Sequence, residues 1–265
     1  MANQNHLNLI RNIHEWNEWR LQNPYSIPDL SNADLQGLNL ANVNLGDANL
    51  KGANLQGCNL TDADLTKANL HQANLKEANI RRANCYKANF TFANLEKAYL
   101  SEADLSMAEM ESVNCQYTDF TESYLIKANL TNGNLTHSNL QGAVLTEANL
   151  LGCRLVSANL READLGGIIG THTDFYGADM SGVSLEDWHI DDTTKLDYVI
   201  CDYCSLSPNK SVKFYQGLTP INLRLELSKS ADSSSVKKQS TPAYNASSVR
   251  KNYLHQGDSP YLVFN

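Results

Sequence analysis

The side chains with which this sequence could do chemistry are its seven histidines, its six cysteines and its carboxylates. Cys201 and Cys204 have the spacing of a redox pair or of half a zinc site, but zinc needs two further ligands and none follows at a suitable spacing. Asp187, His189 and Asp191 alternate, as the ligands of a small metal-binding face would. Free cysteines are more often core residues than ligands, and a P-loop, a dinucleotide fingerprint and a G-x-S-x-G motif are all missing. We therefore expect no catalytic residue, no cofactor-binding residue, no metal ligand and no enzymatic activity.

The composition narrows the class of protein further. Of the 265 residues 42% are hydrophobic but only 8% are aromatic, so leucine and alanine must fill the core. No run of 18 apolar residues could form a transmembrane helix. The start of the chain lacks the basic and apolar regions of a secretory signal, which favours a cytoplasmic location with reduced cysteines. A membrane channel, a collagen-like fibre and a disulfide-rich secreted domain are excluded.

A strict five-residue repeat organises the middle of the chain. From Leu30 to Leu165 every fifth residue is apolar, and 22 of these 28 positions are leucine. The residue two places earlier is small, most often alanine, and Asn or Asp usually lies between the two. Four histidines fall on the remaining, outward positions, whereas four cysteines fall on the apolar or small ones. They are His71, His137, His172 and His189, and Cys58, Cys85, Cys115 and Cys153.

A period of five fits neither an α-helix nor a long strand. On a helix the leucines would spiral around the axis, and on a strand alternate leucines would point to opposite faces. The small residue and the leucine are two apart, so in a short extended segment they share one side. Three extended residues followed by a two-residue corner, repeated four times, return the chain to its start. The pattern therefore predicts a β-helix of square section, with coils stacked at about 4.8 Å.

The repeated A-(D/N)-L-x-x unit, as in residues 48–52, resembles the pentapeptide-repeat proteins, and the resemblance covers residues 29 to about 190. It implies a right-handed quadrilateral β-helix in which the leucine and the small residue point inward. We accordingly expect an all-β solenoid of about eight coils. The predicted core residues include Leu35, Leu40, Leu55, Leu75, Phe90, Phe120, Leu140 and Leu160.

The segments that flank the repeat predict covers for its two ends. Residues 5–22 have helical apolar spacing, and we expect this helix to lay Trp16 and Trp19 on the first coil, although a partner-binding helix is the alternative. After Ile190 the frame slips by one residue and continues at Leu196, Cys201 and Leu206. The predicted divisions are a helical cap (1–28), the β-helix (29–190), a frame-shifted terminal coil (191–206) and a basic, serine-containing, largely irregular tail (207–265).

Charge is distributed in bands along the predicted rod. Residues 29–190 hold ten basic and twenty acidic residues, whereas residues 207–265 hold eight basic and three acidic ones. Within the rod, residues 66–97 hold six bases and two acids, and residues 98–126 hold six acids and no base. Residues twenty apart stack in columns, so opposite charges in one column could pair across coils. A solvated, self-compensating surface would account for much of this banding.

The leading hypothesis from the sequence is a non-enzymatic scaffold whose flat, charge-banded faces bind a protein partner of unknown identity. The candidate interaction surface is Lys67, Arg82, Lys87 and Lys127. Nucleic acid is not the expected partner, no cofactor is expected, and the oligomeric state is left open. The resemblance also includes fluoroquinolone-resistance proteins, which are acidic rods that mimic DNA and bind DNA gyrase. Association of the basic tail with nucleic acid or a membrane surface is the other alternative.

Overall fold

The structure is a computed structural model that describes residues 2–207 and 210–213. Two short helices, α1 (Gln4–Leu9) and α2 (Ile13–Gln22), precede the repeats, and two short strands, β1 (Tyr203–Ser207) and β2 (Lys210–Lys213), follow them. Between helices and strands the chain winds as a right-handed β-helix.

Each coil of the β-helix pairs with the next through single residues twenty positions apart. Parallel bridges run from Asp29 and Asn49 at the bottom to Ile169 and His189 near the top. Leu30 N, for example, donates to Asn49 O at 2.8 Å, and Asn49 N donates to Pro28 O at 2.8 Å. The asparagine or aspartate between the small residue and the leucine is therefore the outward bridging residue of each wall.

The corners explain why that outward residue is so often Asn or Asp. The side-chain oxygen of Asn49 accepts a hydrogen bond from Lys51 N in the following corner, at 3.3 Å, as in an Asx-turn. The second corner residue has a positive φ, between 53° and 61° at the non-glycine corners. This left-handed conformation costs a residue with a Cβ about 1–2 kcal/mol, so stacking against neighbouring coils must hold it in place.

The core is a continuous column of leucine and alanine side chains inside the four walls. The predicted core residues are buried, with Leu35 2% exposed and the other seven 0% exposed. Two thiols at small-residue positions also find partners, because Cys58 Sγ donates to Leu35 O at 2.9 Å and Cys153 Sγ donates to Leu130 O at 2.7 Å.

The N-terminal segment forms two helices rather than the single one predicted over residues 5–22. The break follows from Asn12, whose side chain accepts a hydrogen bond from Glu15 N and so begins a second helix. Trp16 is completely buried, and its Nε1 donates to Asn44 O at 2.7 Å on the first coil. Trp19 is half-buried, with its ring 5.6 Å from that of Trp16.

After Ile190 the offset between bridged residues changes by one. Ile169 pairs with His189, twenty residues on, whereas Asp174 pairs with Lys195, twenty-one residues on. A glycine at the leucine position, Gly170, makes room for this change, since a Cβ there would lie 3.1 Å from Ile190 Cγ2.

The last coil ends in an antiparallel hairpin, whose first strand still bridges the coil below through Ser205 and Ser184. Strand β1 pairs with β2, with Tyr203 opposite Lys213, so the tail begins with a strand where an irregular segment was predicted. The rest of the predicted tail and the side chain of Leu206 lie outside the described residues.

Candidate interaction surface

The two cysteines with metal-like spacing lie in the core. Cys201 is 3% exposed and Cys204 is 0% exposed. The hydrogen bond from the neighbouring thiol and burial both raise the pKa of Cys201 far above its usual range, which suppresses the thiolate that redox and metal chemistry require. Among residues 2–205, whose side chains are described, no group of three His, Cys, Asp or Glu side chains is arranged to hold a metal ion.

The alternating Asp187, His189 and Asp191 do not converge either. The Asp191 carboxylate accepts hydrogen bonds from the hydroxyl and the backbone N–H of Thr193. These bonds lower the pKa of Asp191. Asp187 lies at a corner with a φ of 53°. Asp191 therefore closes the turn at the frame shift.

Two of the four residues of the predicted interaction surface form ion pairs with acidic residues of the rod. Arg82 donates to both carboxylate oxygens of Asp62, one coil below, at 2.9 and 2.7 Å. This bond confirms that opposite charges in one column pair across coils. Lys127 Nζ lies 3.3 Å from Glu147 Oε2, one coil above. A partner would have to displace an acid from each of these two cations.

Lys67 and Lys87 differ, because they are exposed and make no ion pair with any described residue. Lys87 Nζ lies 5.2 Å from the ring centroid of Tyr86, and Met107 follows in the column one coil above. Asp47 lies one coil below Lys67 and lines a surface cavity together with Arg20.

Lys67 and Lys87 lie on the corner that forms one edge of a wall. This wall contains further basic residues that were not among the predicted surface residues. Asn69 and Asn89 are bridged to each other at its centre. Lys67 and Lys87 lie on the corner before these asparagines, and Lys51 and His71 lie on the corner after this column. We call this set the basic wall: Lys51, Lys67, Asn69, His71, Lys87 and Asn89. The twenty-residue stacking rule, applied to the outward positions, would have found it.

The rest of the basic band is compensated within the rod or lies on other walls. Lys76 Nζ is 3.2 Å from Glu96 Oε1. The Arg81 guanidinium lies 4.7 Å from the Tyr99 ring centroid and 4.0 Å from Asp119 Oδ2. Lys97 is exposed without an ion pair to a described residue, but it lies on a different corner.

These stacked coils, each built from four five-residue repeats, define a repeat protein of the right-handed β-helix class. Eight copies of the pentapeptide-repeat family match the sequence, and the matches together cover more than half of it. The chain belongs to the pentapeptide-repeat family. The matched residues include 29–66, 44–82, 58–95, 88–125, 123–161 and 148–187.

The structure is similar to solved pentapeptide-repeat proteins. One is HetL from the cyanobacterium Nostoc sp. strain PCC 7120, involved in heterocyst differentiation regulation, with 23% identity over 66% of this chain and 92% of HetL, at a TM-score of 0.40. Rfr23 from the cyanobacterium Cyanothece 51142 is 31% identical over 47% of this chain and 64% of Rfr23, at a TM-score of 0.25. The fluoroquinolone resistance protein QnrB1 is 16% identical over 64% of this chain and 88% of QnrB1, at a TM-score of 0.29.

These likenesses concern the fold. No curated protein is significantly similar to the chain in sequence. None of the helices in the described part of the chain is long and apolar enough to cross a membrane.

Proposed function

We propose that the protein is a non-enzymatic scaffold that presents the flat, charge-banded faces of about eight coils to a protein partner. The proposal rests on the wall edge formed by Lys67 and Lys87, two lysines without an acidic partner among the described residues. Most of the other cations of the basic band have an acidic partner in the rod, whereas these two are exposed and lack one. Unpaired charges on a rigid surface steer association and set its specificity.

We propose a separate role for each segment of the chain. Residues 1–28 cap the first coil, residues 29–190 form the docking rod, and residues 191–206 end it, while residues 207–265 form an appended basic arm. The buried Trp16 and its hydrogen bond to the first coil support the capping role. The six free cysteines support a reducing compartment such as the cytoplasm.

The test is capture of partners by the tagged full chain, with chemical cross-linking and mass spectrometry to locate the contact. We expect the double variant K67E/K87E to lose partners that the unchanged chain retains. The charge-matched control is K97E/R154E, because both of its positions are exposed, lack ion pairs to described residues and lie on other walls. An identical set of partners for both double variants would refute docking on the Lys67 edge.

A DNA-mimic function directed at gyrase has less support. The acidic excess of the coils is compatible with it, but Lys51, Lys67 and Lys87 interrupt the acidic surface over several neighbouring coils. Unchanged gyrase supercoiling at micromolar protein would exclude this alternative. Binding of the tail to nucleic acid or a membrane surface concerns residues outside the described part of the chain.

A further inference from the structure

The basic wall combines positive charge with hydrogen-bond donors over a short stretch of the rod. Lys67 and Lys87 lie on one side of the asparagine column, and Lys51 and His71 lie on the other. Residues twenty apart are separated by the coil spacing of about 4.8 Å. The set spans three successive coils, which corresponds to a height of about 10–14 Å.

Acids limit the basic wall at both ends. Asp29 lies on the coil below Lys51, Asp47 lies on the same coil as Lys51 but on the opposite corner, and Glu109 and Glu111 lie on the coil above Lys87. The three lysines between these limits make no ion pair with a described residue. The positive potential is therefore confined to a patch a few residues long.

The two central asparagines have amide donors that the rod does not use. Their side-chain oxygens accept from His71 N at 3.2 Å and Thr91 N at 2.9 Å. Neither Nδ2 donates to another residue in the described part of the chain. At the limits of the wall the same donors are tied to acids, because Asn49 Nδ2 donates to Asp29 Oδ1 and Asn129 Nδ2 donates to Glu109 Oε2.

On another wall the corresponding amides are linked to one another along the rod axis. Asn74 Nδ2 donates to Asn54 Oδ1 at 3.1 Å, and Asn114 Nδ2 donates to Asn94 Oδ1 at 3.0 Å. Asn79, Asn84 and Asn134 on other walls likewise accept a corner hydrogen bond without donating from Nδ2 to a described residue. What distinguishes Asn69 and Asn89 is that their free donors lie on the wall between Lys67 and Lys87 on one corner and Lys51 and His71 on the other. They face outward between lysines, where an anion would lie.

We propose that the basic wall binds a short, extended acidic segment of the protein partner. The inference rests on the proposed scaffold function and names the chemistry that one face recognises. Carboxylates of the segment lie between the flanking lysines and accept hydrogen bonds from Asn69 and Asn89. Phe92, which is 54% exposed and 5.8 Å from the His71 ring, adds an apolar contact at the edge.

The height of the patch selects this partner over a nucleic acid. An extended polypeptide rises about 3.3 Å per residue, so three or four residues cover the wall. A longer polyanion would continue past the wall and meet Asp29 at one end or Glu109 and Glu111 at the other. Side-chain amides paired with lysines also suit a carboxylate, which accepts hydrogen bonds and carries one charge.

The test measures binding of a fluorescently labelled tetraglutamate peptide, whose length matches the wall, to the full-length protein by anisotropy. We expect saturable binding that weakens with added salt, as screened charge attraction must. K67E/K87E should weaken it at least about tenfold, whereas the charge-matched K97E/R154E should change it by less than about twofold. N69L/N89L should weaken it several-fold without altering net charge, and N74L/N94L on the other wall should not.

Several outcomes would overturn the inference. The first is no binding of tetraglutamate at about 1 mM, and the second is an equal loss of binding in the two charge-reversal variants. The third is tighter binding of a single-stranded oligothymidine than of the peptide. Self-association that K67E/K87E abolishes in sedimentation would assign the wall to a second copy of the chain.

Circular dichroism checks that each variant folds, and K67Q/K87Q replaces the charge-reversal variant if that variant does not fold. If partners captured by the intact chain still bind K67E/K87E, this inference fails while the scaffold function stands; if no partner is captured at all, the scaffold function fails.

Discussion

Replacement of Trp16 by alanine should open the first coil and leave the middle of the rod unchanged. Trp16 is completely buried and donates from Nε1 to Asn44 O at 2.7 Å. Truncation of a buried tryptophan costs about 3–5 kcal/mol. Each coil of a solenoid contacts only its neighbours, so this loss should stay near the end where it occurs.

Hydrogen exchange measured by mass spectrometry provides the assay. A loss of about 4 kcal/mol lowers the protection of amides that open locally by roughly three orders of magnitude. The reporters are the amides of Leu40 and Leu45, which donate to Asn59 O and Asp64 O. The amides of Leu100 and Leu105, several coils higher, should keep their protection.

Trp19→Ala is the matched control, because Trp19 is only half-buried and makes no indole hydrogen bond to a described residue. Its expected cost is about 1–2 kcal/mol, or roughly a tenfold loss of protection in the same amides. Equal effects of the two substitutions, or an equal loss of protection at Leu45 and Leu105, would refute local capping by Trp16.

Three further predictions concern corners, ion pairs and thiols. Gly37→Ala should cost about 1 kcal/mol for its left-handed backbone, and Gly52→Ala should cost more in urea unfolding. A Cβ at residue 52 would lie 2.5 Å from an asparagine oxygen of the coil below, whereas one at residue 37 meets nothing within 4 Å. Asp62→Asn should destabilise the fold by less than about 1 kcal/mol, since the Asp62–Arg82 pair is exposed; a larger thermal shift would contradict this. The folded protein should not react with Ellman's reagent at pH 8, because all six cysteines are buried and burial raises the pKa of Cys58 to about 11. Unfolding in urea should expose all of them, and a fast-reacting thiol in the folded state would contradict the burial.

The repeat made the architecture predictable because one residue type per position satisfies one steric requirement. Leucine fills the interior, alanine allows the walls to close around it, and Asn or Asp accepts the corner hydrogen bond seen at Asn49. The corner conformation was harder to predict, since left-handed backbone usually signals glycine. Here Phe92, Lys67 and Glu102 adopt it with φ values of 56° to 61°. Stacking on the coils above and below imposes this conformation regardless of the local residue.

The candidate surface was only partly predictable, because availability of a charge depends on side-chain conformation as well as on register. Register alone identifies Asp62 below Arg82 and Glu147 above Lys127, and both pairs form. It also places Asp47 below Lys67, yet that pair does not form within 4.0 Å. Asp47 shares the lining of a cavity with Arg20 and attracts its guanidinium without forming an ion pair within 4.0 Å. Arg20 is a cap residue whose position the five-residue pattern does not encode.

Because Asp47 lies between Arg20 of the cap and Lys67 in the electrostatic sense, the availability of Lys67 depends on the cap. The Arg20 guanidinium is held by Ser26 O at 2.7 Å and Gly46 O at 2.8 Å, which fixes a cation beside Asp47. Without that cation, Asp47 would be free to pair with Lys67, its neighbour in the column. Arg20→Met should therefore weaken binding of tetraglutamate to the basic wall even though residue 20 lies outside it. In Arg20→Met/Asp47→Asn, which has no acid to pair with Lys67, binding should return to the level of Asp47→Asn alone. Failure of the double variant to recover binding would show that the cap affects the wall only by stabilising the first coil.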